Sequence, residues 1–82
     1  MTTKGIYIVQ DPVVVYDIMR EAANRVCSIY AERVTTGTVE DPAVEQIRAI
    51  WAEADSVDTH DQQAQRLATD KFNERYETLL AG

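Results

Sequence analysis

Asp11-Pro12-Val13-Val14-Val15-Tyr16-Asp17-Ile18-Met19-Arg20-Glu21-Ala22-Ala23-Asn24-Arg25-Val26-Cys27-Ser28-Ile29-Tyr30-Ala31-Glu32-Arg33-Val34 is the segment around which the rest of the chain is organised. Asp11-Pro12 reads as a helix start, because an Asp side chain accepts from the first free amides and Pro, already near helical φ, suits the first helical position. Val15, Ile18, Met19, Ala22, Val26, Ile29 and Tyr30 then recur at the three-and-four spacing of one helical face, while Glu21, Asn24, Ser28 and Glu32 fall opposite. A helix over 11–34 with one apolar and one polar side is the largest apolar surface in the chain. The remaining segments are expected to pack against it.

Downstream, Thr35-Thr36-Gly37-Thr38 combines β-branched residues with a permissive Gly and ends this helix near Val34. Asp41-Pro42 repeats the start device, and Val44, Ile47, Trp51 and Ala54 form one stripe with Ile50 at its flank, which predicts a second helix over 42–54. Trp51 is the expected anchor between helices, since indole carries the most area to bury. After an acidic break at Asp55-Ser56-Val57-Asp58, Thr59-His60-Asp61-Gln62 fits a capping box of Thr59 and Gln62. Ala64, Leu67, Ala68, Phe72, Tyr76, Leu79 and Leu80 predict a third helix over 60–80. The expected fold is all-α, a small three-helix unit forming a single helical domain over 11–82. Upstream, Gly5-Ile6-Tyr7-Ile8-Val9-Gln10 prefers an extended conformation, so 1–10 stands apart as an N-terminal extended segment. A lone strand has no partner for its backbone. It either packs irregularly over the helices or adds to a sheet edge in a partner or second copy.

Composition narrows the classes of function. A chain of 82 residues holds one small domain. The single cysteine, Cys27, excludes an internal disulfide, and without a signal-like segment or a run of eighteen apolar residues the expectation is a cytoplasmic protein with no membrane contact. Fourteen acidic against eight basic residues give a net charge of -6, which argues against direct nucleic-acid binding. Half of the acids, Glu40, Asp41, Glu45, Glu53, Asp55, Asp58 and Asp61, face a single Arg48 in the segment 40–61. They either offset the positive ends of helix dipoles or form a surface that steers toward a basic protein.

Catalytic groupings are missing. One His and one Cys cannot build a structural zinc site, His60 falls in a first helical turn where it is solvated or capping, and Cys27 reads as a half-buried, inert thiol. There is no phosphate-cradling Gly-rich loop, nucleophile elbow or H-E-x-x-H pair. Asp70 and Glu74, one helical turn apart, read as a solvated face rather than a catalytic pair. The sequence therefore points away from an enzyme, and no cofactor or metal is expected.

Ser28 and Glu32 lie one above the other on the exposed side of the long helix, ordinarily a solvated pair with Ser28 bonding back to the helix. In their setting, Ala22-Ala23-Asn24-Arg25-Val26-Cys27-Ser28-Ile29-Tyr30-Ala31-Glu32, the pattern resembles the inhibitory helix of the small antitoxins that hold Fic-domain toxins inactive. Those carry Ser or Thr, three intervening residues, then Glu followed by Gly or Asn. The likeness continues loosely over 20–77, through Thr36-Gly37, Asp41-Pro42, Trp51, the acidic break and Arg75-Tyr76. It departs at Arg33, which stands where the family has Gly or Asn, and in a longer turn before Asp41-Pro42.

The resemblance implies that Glu32 pairs with an arginine of a toxin's nucleotide pocket, so that the γ-phosphate of ATP is not oriented for transfer by a Fic-type AMP-transferase. Ser28 would support the docked helix, and Glu21, Asn24 and Arg33 complete the candidate partner-binding set. Two other readings use different features. A viral anti-defence or nucleic-acid-mimic inhibitor would present the acids of 40–61, and an oligomeric structural or assembly component would join copies through the 5–10 segment and the helix faces.

Overall fold

A computed structural model describes residues 12–82 and contains there three helices, α1 (Pro12–Ala31), α2 (Pro42–Asp55) and α3 (Gln62–Ala81), with no strand among the described residues. This is the all-α three-helix unit that the periodicity predicts. The segment 5–10 and the Asp11 cap lie outside the described residues. Both α2 and α3 pack against α1. Contacts of Arg20 with Asp55 and of Cys27 with Ile47 set α2 antiparallel to α1, and those of Arg25 with Asn73 and Tyr30 with Arg75 run α3 alongside α1 in the same direction.

The core is formed by Met19, Ala22, Ala23, Val26 and Cys27 of α1, Ile50 and Ala54 of α2, and Ala68 and Phe72 of α3. On α1 the buried arc is rotated from the one expected: Ala23 and Cys27 lie inside it, whereas Ile18 is exposed. The reason is that α1 serves two neighbours at once, which widens its arc toward the Ala23–Cys27 side. On α2 the stripe shifts by one residue. Ile50 is the central plug at 1 % exposure, and Trp51, the expected anchor, is half-buried at the margin with the Arg20 guanidinium 4.8 Å from its ring centroid. With four alanines among the nine core residues the helices pack closely, and a branched aliphatic fits where an indole does not.

On α3 the buried line is Gln65, Ala68 and Phe72, flanked by Tyr76 and Leu79, while Leu67 and Leu80, expected inside, are exposed. Gln65 is fully buried. Its Nε2 donates to the Asp58 carbonyl at 2.9 Å, tying α3 to the turn before it, and its Oε1 has no partner among the described residues. The expected capping box also changes hands. Asp61, not Thr59, caps α3 by accepting from the Ala64 amide at 3.0 Å, and the helix starts at Gln62.

Helix α1 stops at Ala31 rather than near Val34. The Arg33 and Val34 amides donate three residues back, to the Tyr30 and Ala31 carbonyls, which tightens the last turn, and Gly37 then takes a φ of 72° that side-chain-bearing residues rarely adopt. The loop from there to α2 is organised by Asp41, 4 % exposed. One carboxylate oxygen accepts from the Ala43 amide at 2.9 Å as the helix cap. The other accepts from the Thr35, Thr36 and Gly37 amides at 2.8, 2.9 and 3.4 Å. The backbone amides of Thr36 and Thr35, with those of Ala43 and Gly37, hold this carboxyl far below the usual carboxylate range.

Candidate functional site

The polar side of α1 is exposed along its length. Glu21, Asn24, Ser28 and Glu32 all face solvent, opposite Met19 and Val26. The Ser28 hydroxyl donates to the Arg25 carbonyl at 2.7 Å, the back-bond a helical serine ordinarily makes, and the Glu32 amide donates to the Ser28 carbonyl at 3.3 Å, so Glu32 follows directly on the last turn of α1. No ion pair or hydrogen bond engages the Glu21, Asn24 or Glu32 side chains among the described residues. Arg33 lies apart from this strip. Its guanidinium turns back over Tyr30, 5.7 Å from the ring centroid.

The acids of 40–61 do not form one free surface. Asp41 is buried on backbone amides, Glu53 pairs with Lys71 at 3.1 Å and Asp55 with Arg20 at 2.6 Å. Asp58 accepts from the His60 amide at 2.7 Å and Asp61 caps α3. His60 is solvent-exposed beside Asp58, as a residue of the turn. Cys27 is buried rather than half-buried, because α1 is rotated toward it. Burial pushes its thiol up, with the Arg75 charge offsetting part of the effect.

A cluster with no signature in the sequence stands at the end of the bundle where α1 finishes and α2 begins. Arg75 of α3 donates through Nη2 to Gln46 Oε1 of α2 at 2.6 Å and to the Tyr30 hydroxyl of α1 at 3.3 Å, with its guanidinium 5.6 Å from the Tyr30 ring centroid. Tyr30, Arg33, Thr35, Asp41, Pro42, Ala43 and Gln46 line an open hollow of about 390 Å³ beside it. Its members come from three helices and a loop, so no linear spacing could have announced it.

Among the described residues, no group of three His, Cys, Asp or Glu side chains is placed to hold a metal ion, and no helix is long and apolar enough to cross a membrane. Comparison with protein-family models, with curated proteins and with solved structures finds no match to this chain.

Proposed function

We propose that this chain is a small acidic helical module that acts by binding a protein, and that it works in the cytoplasm as an inhibitor of the Fic-antitoxin kind, offering Glu32 to a cationic nucleotide pocket. The observation that carries this reading is the position of Glu32: an exposed carboxylate at the end of the polar strip of α1, with no side-chain partner among the described residues. A negative charge at a helix C-terminus opposes the helix dipole, so the fold itself gains nothing from an acid at this place. Docked against a planar guanidinium, the same carboxylate makes a charge-assisted and bidentate contact. An arginine so engaged cannot orient the γ-phosphate of ATP. Arg33, where that family carries Gly or Asn, folds back over Tyr30.

The test begins with affinity purification of the tagged full chain from its native host, followed by nucleotide-transfer labelling with the retained protein. Wild type is expected to silence that protein, and Glu32→Gly to bind within a few-fold of wild type while leaving it active. A retained protein with no arginine-bearing nucleotide pocket, or full inhibition by Glu32→Gly, would end this reading. A second reading, self-assembly, is favoured by the exposed Val13, Val14 and Ile18 at the start of α1, next to the apolar run of 5–10. Light scattering coupled to size exclusion decides it, since a monomer at all concentrations excludes it.

A further inference from the structure

We infer that the hollow beside Tyr30 is a binding site for a carboxylate group, held by Arg33 and the side-chain amide of Gln46 in its lining, with the Arg75 charge behind them on Tyr30 and Gln46. This inference does not rest on the role of Glu32. Two guanidiniums lie within cation–π reach of one tyrosine, Arg33 at 5.7 Å and Arg75 at 5.6 Å from its centroid. Neither pairs with an acid among the described residues, whereas Arg20 is matched by Asp55 and Lys71 by Glu53. A chain with fourteen acids and eight bases has no shortage of carboxylates to place there. The helix dipole accounts for a cation just past the end of α1, and so for Arg33. It does not account for Arg75, which is half-buried in α3, away from either helix end, with only the neutral Gln46 and Tyr30 as hydrogen-bond partners.

The donor inventory is one-sided. Gln46 Oε1 is taken by Arg75, which leaves Gln46 Nε2 to donate, and Arg33 and Arg75 offer only N–H groups. The one acid in the wall, Asp41, already accepts from four backbone amides and is almost wholly buried. Beside these donors the Thr35 and Tyr30 hydroxyls of the lining can donate or accept, so the set suits an oxyanion with at least two oxygens in a plane, the shape a guanidinium matches. Among oxyanions the net charge of -6 selects a monoanion, because the long-range repulsion scales with the charge of the ligand. That favours a carboxylate over a phosphate dianion. Its source is either a small free acid or a Glu or Asp side chain presented by another protein.

The experiment is a side-chain-resolved ¹H–¹⁵N NMR titration of the full chain, following the Arg33 and Arg75 Nε–H signals and the Gln46 amide. The probes are sodium acetate, sodium phosphate, a capped Glu-rich hexapeptide, and sodium chloride as the ionic-strength control. Saturable shifts of these three groups with acetate or peptide, absent with chloride, are expected. Arg33→Gln, at an exposed position that leaves the fold intact, is expected to weaken binding at least about tenfold, the loss of one charge-assisted contact. Arg75→Gln, which removes a charge from behind Tyr30 and Gln46, should weaken binding less than Arg33→Gln. A peptide that binds more tightly than acetate identifies a protein side chain as the source, and equal binding identifies a small acid. Shifts that follow ionic strength alone, phosphate binding more tightly than either carboxylate, or an unchanged affinity in Arg33→Gln would overturn the assignment.

Discussion

Phe72→Ala and Leu67→Ala are the paired substitutions that test how α3 sits on α1. Both residues belong to the apolar pattern of one helix, yet Phe72 is 2 % exposed and Leu67 is 60 % exposed. Phe72 meets the cluster of Met19, Ala22, Val26 and Ile50, where the neighbouring alanines have little side chain with which to fill a void. Truncation of a buried phenylalanine costs about 3–5 kcal/mol, the lost transfer energy together with the cavity left behind. For a chain of this length total stability is roughly 4–12 kcal/mol, from about 0.05–0.15 kcal/mol per residue. Phe72→Ala therefore removes about a quarter or more of it. At about 4–8 °C per kcal/mol, Tm should fall by at least about 12 °C. Leu67→Ala, already mostly in water, should stay within about 0.5 kcal/mol of wild type. Urea unfolding followed by far-UV circular dichroism measures both, with unchanged slope as the control for a common unfolded state. A Leu67→Ala cost equal to that of Phe72→Ala, or a Phe72→Ala cost below about 1 kcal/mol, would refute the placement of α3 argued from these burial values.

Three further outcomes are expected. The Asp41 carboxyl has a depressed pKa in the folded chain, so its stabilisation is fully present above the ordinary carboxylate value and is lost as pH falls below it; Tm should drop under about pH 4, and Asp41→Asn should lower Tm at neutral pH by an amount that shrinks in acid. A gap that stays constant with pH would contradict this. Gln65→Glu places a buried carboxylate against the Asp58 carbonyl, which should cost at least about 3 kcal/mol at neutral pH. Desolvation raises the pKa of that new Glu, so its penalty grows as pH rises above about 4.3 and is relieved in acid, which denaturation at two pH values reads directly. Arg20→Ala breaks an exposed ion pair with Asp55 and uncovers one face of Trp51, so it should cost no more than about 1 kcal/mol, less at high salt, while shifting Trp51 emission to the red. An unmoved emission maximum would place the guanidinium elsewhere.

The three helices, their order and most of their ends were legible in the amino-acid order, because caps and apolar spacing are local properties that the chain carries wherever it goes. Asp41-Pro42 and Gly37 announced the α1–α2 turn, and the outward strip of Glu21, Asn24, Ser28 and Glu32 followed from the same arithmetic. Which few degrees of each helix face inward depended instead on how the helices pack together. Ile50 rather than Trp51 plugs the core, Gln65 is buried while Leu67 is not, and Ile18 falls outside an arc that takes in Cys27. A helix between two neighbours buries a wider and differently centred arc than its hydrophobicity alone suggests, and a polar residue is carried inside when its hydrogen bond can be met there. The gathering of Tyr30, Gln46 and Arg75 has the same origin: three residues far apart in sequence become neighbours only because three separate helices pass side by side at one place.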